Sequence, residues 1–389
     1  MPGKSCATNL CQFMDKVTKA VDEGKAVDIV YLDFAKAFDK VPRQRLVRKL
    51  RAKGVEEDTV TWIESWLSGR TQKVRIKGQL SSSCDVESGV PQGTVLGPTL
   101  FTVFIDDLED EVEERQLDVL LIKFADDTKG AKSICGDDDR QKFQEALDCL
   151  CNWAEKWGMS FNFAKCKIMH VGRHNPGYEY FMRGEKIGTT EEERDIGVII
   201  TKNLKPAAQC SKAAGRAMAV LSQLRKEFHY RDRFTFVMLY KQYVRPHLEF
   251  ASPAWSPWLV GDKETLERVQ EKAVRMVSGL KGETYLEKCE ELGLDTLERR
   301  RENQDMSLVY KHLADNQETE LFTLAGQNEG MRTRRTAGTN SLSSQFARTD
   351  IRKHSFAVRT VDKWNNLPDT VRQAETQLSF NSKLKRKQK

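Results

Sequence analysis

Two apolar runs that each stop on acidic residues constrain this chain more than any other feature. Val27-Asp28-Ile29-Val30-Tyr31-Leu32 is rich in β-branched and aromatic residues, and Asp33 follows it directly. Asp118 to Phe124, mostly apolar through Val119-Leu120-Leu121-Ile122, leads in the same way to Asp126-Asp127. Such runs read as largely buried strands. A carboxylate placed at the end of a buried strand is costly unless it is paired or bound to a cation. For Asp33 alone, an acid capping the next helix is the stronger explanation, because strand-to-helix turns favour one. Two strand ends of the same kind need a common explanation.

The rest of the chain alternates in type. Residues 10–24 read as a helix with Leu10, Phe13, Met14, Val17 and Val21 on one face. Residues 43–54 and 57–67 read as helices stopped by Gly54 and by Ser68-Gly69. Gln72 to Lys77 alternates as one strand of a hairpin, and the Gly/Pro-rich turn Ser88-Gly89-Val90-Pro91-Gln92-Gly93 precedes an apolar helix through Leu100, Phe101 and Phe104. Residues 139–157 form an amphipathic helix, with short strands near 160–171 and 194–200. The succession gives an α+β fold with acids at strand ends. From about 206 to 315 the pattern is almost entirely helical, broken at Pro246, Pro253 and Pro257. Beyond Leu321 it turns polar, with a linker through Thr336-Ala337-Gly338-Thr339-Asn340 and a basic segment around Trp364. The expected domains are 1–205, 206–320 and 321–389.

Composition narrows the chemistry. Of 389 residues, 39% are apolar and 31% charged, which suits a globular chain. No run approaches the ~20 apolar residues of a spanning helix, and the N-terminus lacks a signal-type apolar core. The expected setting is therefore intracellular, cytoplasmic or nuclear, without a membrane and not secreted. The nine cysteines include no CxxC pair, and the six histidines no HExxH spacing. Zinc is not expected, so any metal would be held by oxygen. The net charge of +6 is unevenly placed: residues 205–235 hold seven Lys/Arg against two Asp/Glu, and residues 331–389 hold fourteen against four. Lopsided basic segments suit a polyanion, because each neutralised phosphate releases counterions. For the last seven residues, a solvated tail or an import signal stands equally well.

Phe124-Ala125-Asp126-Asp127, followed by Thr128-Lys129-Gly130, fits the turn of a β-hairpin. Neighbouring residues on an extended strand face opposite ways, so Asp126 is assigned the stronger ligand role and Asp127 a weaker one. Three acids on two strand ends make an all-oxygen site suited to Mg²⁺. Two such ions about 3.5–4 Å apart can activate a hydroxyl and stabilise a leaving oxygen, which is the chemistry of nucleotidyl transfer and also of nucleases and phosphatases. In Pro91-Gln92-Gly93, glycine allows close backbone approach and glutamine can bond a base or sugar edge, although a lone tripeptide reads as a plain loop. Phe104-Ile105-Asp106-Asp107 repeats the aromatic-x-Asp-Asp pattern at a helix end, and its run on to Glu114 marks a solvated acidic face. Asp137-Asp138-Asp139 reads the same way.

Taken in order, these motifs resemble the reverse transcriptases of non-long-terminal-repeat retrotransposons (LINE elements), the jockey and chicken-repeat-one branches. The motifs are Tyr31 to Val41, Ser88 to Pro98, Phe124 to Asp127, Asn162-Phe163-Ala164-Lys165-Cys166-Lys167 and Asp195-Ile196-Gly197-Val198. The resemblance runs from residue 3 to about 315. It implies an RNA-directed DNA polymerase with a right-hand palm and an all-α thumb, ahead of the basic C-terminal segment read from composition. Asp33 and Asp126 would hold two Mg²⁺ ions (Mn²⁺ as a substitute), assisted by Asp127. Phe38 would crowd a 2′-hydroxyl, Gln92 and Gly93 would line the nucleotide pocket, and Lys165 would meet the pyrophosphate, with Lys167 its rival. The implied partners are an RNA template, a DNA primer and deoxynucleoside triphosphates.

Tyr240 to Pro253 is the most thumb-like stretch, with Arg225, Lys226, Arg231 and Arg233 as candidate phosphate contacts. His247, Trp255 and Trp258 read as structural. Gly3-Lys4-Ser5-Cys6 looks like the tail of a fingers motif, so a truncated copy lacking most of the fingers is expected. The alternative is an inactive remnant that retains only nucleic-acid binding.

Overall fold

Every residue of β1 (Ala26–Leu32) is buried, as its β-branched and aromatic composition demands. Full burial of side chains such as Ile29 and Val30 contributes roughly 1.5–3 kcal/mol each. The computed structural model describes residues 5–314, 321–325 and 340–387. The linker expected at Thr336–Thr339 lies outside them, as do Gly3 and Lys4. The chain forms two compact units, Lys25–Glu191 and a second that joins Met1–Gly24 to Glu192–Lys389. Helix α1 (Cys6–Asp22) opens the chain and belongs to the second.

In the first unit, α2 (Ala37–Lys40), α3 (Arg43–Ala52) and α4 (Glu57–Leu67) follow β1. A long hairpin pairs β2 (Thr71–Gln72) with β5 (Cys84–Asp85) and β3 (Arg75–Ile76) with β4 (Gln79–Leu80). Next come α5 (Leu96–Phe104), α6 (Asp110–Glu114), β6 (Leu120–Phe124), β7 (Asp127–Ile134), α7 (Asp137–Trp157) and β8 (Lys167–Val171). The small hairpin β9 (Phe181–Met182) and β10 (Glu185–Lys186) leads to β11 (Gly188–Thr189). The sheet order is β11-β8-β1-β7-β6, with β1 antiparallel to both neighbours. This mixture of packed helices with a largely antiparallel sheet is the α+β class expected.

Helix α7 lays Phe143, Ala146, Leu147, Leu150, Trp153 and Ala154 into the core at helical spacing. It begins at Asp137, so Asp137, Asp138 and Asp139 occupy its first turn, where acids suit the helix dipole. Asp28, wholly buried in β1, is reached by Tyr180 Oη at 2.6 Å, His170 Nδ1 at 2.7 Å and Asn175 Nδ2 at 2.8 Å. Three partners offset the desolvation of that carboxylate.

The strand expected near 160–171 shortens to β8 because residues 160–166 turn back onto the end of β1. Ala35 N donates to Ser160 O (2.8 Å), Asn162 N donates to Asp33 O (2.7 Å), and Phe34 stacks on Phe161.

Gly89 shows where the fold depends on a missing side chain. Its φ is +85, and an added Cβ would lie 2.7 Å from Asp39 Cα, Asp39 O and Phe38 O, all backbone. Gly93, at φ +78, has nothing within 4 Å. Gly89→Ala should therefore cost about 2–4 kcal/mol, combining left-handed strain with overpacking. Gly93→Ala should cost only the strain, about 1–2 kcal/mol. Denaturant melts of both compare the two terms; equal losses would show that close approach at Gly89 is not limiting.

In the second unit, the hairpin of β12 (Glu192–Asp195) and β13 (Val198–Thr201) packs on α8 (Ala207–Glu227). The boundary thus falls at 191, not at the expected 205. Helix α9 (Arg233–Leu239) runs into a π-helical turn, Tyr240–Val244. Then follow α10 (Arg245–Glu249), α11 (Ser252–Trp255), α12 (Val260–Arg275), α13 (Tyr285–Glu291) and α14 (Leu297–Ala314). Pro246 and Pro253 sit in the first turns of α10 and α11, where a missing N–H is harmless.

The chain ends with α15 (Asp350–Lys353), α16 (Phe356–Arg359), α17 (Val361–Asn365), α18 (Asp369–Arg372) and α19 (Gln377–Lys387). These are not merely a basic segment. They bury Phe356, Trp364, Phe380 and Leu384 against Met306, Val309 and Tyr310. Arg352, Arg359 and Arg372 turn inward to Asp15, Asp305 and Asp369. Helix α1 joins this unit because its face meets α11, α15 and α16. No helix among the described residues is long and apolar enough to cross a membrane.

Candidate active site

Strands β6 and β7 close through a two-residue turn, Ala125-Asp126, with Phe124 opposite Asp127. Ala125 has φ 54, a left-handed conformation that costs an alanine about 1–2 kcal/mol and tightens the turn. Leu32 pairs with Thr128 as the last step of the ladder, so Asp33 follows β1 at the end where Asp127 opens β7. All three acids therefore stand at one end of two neighbouring strand pairs. Asp126 is half-buried and Asp127 exposed.

Asp33 Oδ2 is buried without a hydrogen bond, and Lys165 Nζ faces it at 3.2 Å as a charge contact only. Lys165 reaches this position because its turn is tied to the end of β1 through Asn162 N and Asp33 O. Among the described residues, no group of three or more His, Cys, Asp and Glu side chains gathers at metal-binding distance. Like-charged carboxylates repel unless a cation lies between them, and here the Lys165 ammonium provides counter-charge to Asp33. An all-carboxylate donor set with an unsatisfied buried oxygen suits a hard cation such as Mg²⁺. Lys167 Nζ, by contrast, donates to Ala164 O at 3.0 Å.

The Gly/Pro-rich turn is fastened to the segment that follows Asp33. Val90 N donates to Phe38 O and Gly89 N to Val41 O, both at 2.8 Å. Phe38 stacks on Phe101 with ring centroids 4.6 Å apart, which fixes its ring. Gln92 and Gly93 are exposed. Thr94 Oγ1 donates to Pro91 O (2.8 Å) and accepts from Gly97 N (3.1 Å), so the turn is braced from within. Gly89, which permits this docking, stood within the motif, but nothing local marked it as the glycine that must lack a Cβ.

The acidic run from Asp106 is more than a solvated face. Asp107 accepts from Lys49 Nζ (2.5 Å) and Trp153 Nε1 (2.9 Å), while Asp106 pairs with Lys53 and Glu109 with Lys123. Lys49 Nζ lies 3.7 Å from the Trp157 ring centroid and 4.7 Å from that of Trp153. Burial lowers the Lys49 pKa, with the Asp107 bond opposing it. The motif-like Asp106-Asp107 is thus structural.

The four basic candidates belong to the other unit and differ among themselves. Arg231 donates to Phe228 O and Arg225 O, both at 3.0 Å, at the end of α8. Arg233 donates to Gly279 O (2.6 Å) and pairs with Glu291. Both are engaged within the fold. Arg225 and Lys226 are exposed. Trp255 is buried, with Nε1 donating to Phe250 O at 2.9 Å, and Trp258 stacks on His354. Both are the structural groups expected.

Residues 1–209 match the family model described as "Reverse transcriptase (RNA-dependent DNA polymerase)". The RNA-directed DNA polymerase from mobile element jockey of Drosophila funebris is 28% identical over 271 residues, covering 67% of this chain and 29% of that protein. A probable RNA-directed DNA polymerase from the X-element of Drosophila melanogaster is 22% identical, covering 71% of this chain and 31% of that protein. The chain therefore spans less than a third of the length of these relatives. The apo telomerase of Candida tropicalis superposes with a TM-score of 0.43 at 14% identity, over 78% of this chain and 49% of that one. With the matched region covering the whole sheet unit and more than half the chain, the protein belongs to the reverse transcriptase (RNA-dependent DNA polymerase) family, among relatives from non-long-terminal-repeat mobile elements.

Proposed function

We propose that this chain copies an RNA template into DNA, transferring deoxynucleotides from their triphosphates to the 3′-hydroxyl of a DNA primer. The observation that supports the reading is that Asp33 follows β1 at the sheet end where the Asp126-Asp127 turn opens β7, with Lys165 3.2 Å from Asp33. Asp33 and Asp126 would hold two Mg²⁺ ions, or Mn²⁺ in their place, with Asp127 assisting. Bound there, the ions supply activation of the hydroxyl and stabilisation of the leaving oxygen.

The chain's own groups do the rest. Phe38, held by Phe101, presents a fixed ring that crowds a 2′-hydroxyl and favours deoxynucleotides. Gln92 and Gly93 offer an exposed backbone and an amide to the nucleotide. Lys165 would exchange its contact with Asp33 for the pyrophosphate as that group leaves. Arg225 and Lys226 supply phosphate contacts from the helical unit. Such partners would be met in the cytoplasm, the nucleus or both.

Primer extension on an RNA template with a DNA primer, four deoxynucleoside triphosphates and Mg²⁺ tests the reading. A product ladder that vanishes on chelation supports it; no extension with either Mg²⁺ or Mn²⁺ overturns it. Lys165→Ala should lower kcat by about 100-fold, with a smaller change in KM for the nucleotide. A raised KM at constant kcat would assign Lys165 to ground-state binding alone.

A further inference from the structure

Helix α9 and its π-turn carry two apolar faces, and the fold uses one. Phe236, Val237, Tyr240 and Val244 are buried in the second unit. Phe234 is 80% exposed, Tyr243 54% and Met238 40%, and Tyr230, in the connection before α9, is 80% exposed. Phe234 and Met238 lie four apart on α9 and share a face. A π-turn stacks residues five apart, which brings Tyr243 round toward Met238. Single exposed apolar residues are ordinary on any surface, whereas these four fall within fourteen residues of one another.

The exposed charges at the end of α8 are mostly basic, with Glu227 the acid beside Lys226. Arg225 and Lys226 are exposed at the end of α8, and the nearby Asp232 is occupied in capping α9 through Phe234 N and Thr235 N. Exposed rings that follow exposed cations along the chain fit an unpaired nucleic-acid strand, whose bases offer π-faces and whose phosphates meet the cations. A duplex keeps its base faces stacked inside and could use the cations but not the rings.

We propose that Tyr230, Phe234, Met238 and Tyr243 form a stacking platform for the unpaired bases of a single-stranded nucleic acid, with Arg225 and Lys226 holding its phosphates. This deepens the polymerase reading by naming the form of nucleic acid met by the helical unit, and it rests on that reading.

Fluorescence anisotropy of the full chain with labelled oligo(dT) 20-mer and with a 20-base-pair duplex tests it. Tyr230→Ala/Phe234→Ala should weaken single-strand binding about thirtyfold, the effect of losing two stacked bases, and leave duplex binding within about twofold. Its salt dependence should match that of the unchanged chain, while Arg225→Ala/Lys226→Ala should flatten the log–log slope by about 0.7 per residue. Tyr230→Phe/Phe234→Tyr should keep full affinity. Unchanged single-strand binding in the alanine pair overturns the proposal. So does equal weakening for both nucleic acids, or a dimer of the unchanged chain that the alanine pair dissolves. Photocrosslinking of an iodouracil-substituted strand to the unchanged chain reads the same contact without mutation, and crosslinks lying wholly outside 228–243 also overturn it. Strand binding without primer extension removes the polymerase reading alone; extension with full strand affinity in the alanine pair removes the platform alone.

Discussion

Asp126→Asn should reduce primer extension by about a thousandfold while leaving the fold intact. The substitution keeps shape and removes one charge from the proposed cation site, and loss of such a preorganised electrostatic group costs about 10²–10³ or more in rate. Asp126 lies in the two-residue turn, outside the β6–β7 ladder that Phe124 and Asp127 close. No ladder hydrogen bond depends on its side chain, so the stability change should stay within about 0.5 kcal/mol, the usual range for an exposed or half-exposed site.

Asp107→Asn is the matched control, because Phe104-Ile105-Asp106-Asp107 repeats the local pattern. It should leave the rate alone and cost about 1.5–3 kcal/mol, since Lys49 would lose its charged partner. Single-turnover rates and denaturant melts of both variants check the pair. A rate within tenfold for Asp126→Asn, or an equal rate loss for Asp107→Asn, would sink the site assignment.

That control also shows which parts of the molecule could be read from local pattern. Strands β1 and β6 were legible because each is a short apolar run with a polar stop, and the β1–β7 ladder then brought both acid-bearing ends to one side of the sheet. Helix α4 was legible from spacing and its stop at Ser68, and α7 from its amphipathic spacing. The pairing of Lys49 with Asp107 was not, because 58 residues separate them and nothing local marks a lysine as buried. Gly89 was opaque for the same reason, since its need for no Cβ comes from Phe38 and Asp39.

Counting charges misled at the C-terminus. Fourteen basic residues against four acidic ones suggested a polyanion-seeking tail. Arg352 and Arg359 instead answer acids far away in sequence. The exposed face of α9 was equally hidden, because periodicity marks an apolar face without saying whether anything covers it.

Arg352→Ala should destabilise the second unit by about 3–5 kcal/mol, a large part of the ~5–15 kcal/mol available to a folded protein. Arg352 is 2% exposed, and its Nη1 donates to Asp15 Oδ1 (2.6 Å), Asp15 O (3.0 Å) and Thr18 Oγ1 (3.2 Å), while Nη2 donates to Gln345 Oε1 (2.6 Å). Burial pushes the Asp15 carboxyl above its usual value, and Arg352 is the main pull against that. Without the guanidinium, Asp15 stays buried with its opposing charge gone, so its folded-state pKa rises further above the unfolded one. A carboxyl shifted in that direction binds its proton more tightly when folded. The variant's deficit should therefore be largest at neutral pH and shrink as pH falls toward the raised value. Asp15→Leu/Arg352→Met, which replaces both charges with apolar groups of similar size, should recover most of the loss. Denaturant melts from neutral to mildly acidic pH read all three chains. A deficit below about 1 kcal/mol in Arg352→Ala, or no recovery in the double variant, would show that this pair does not fasten α1 to the C-terminal helices.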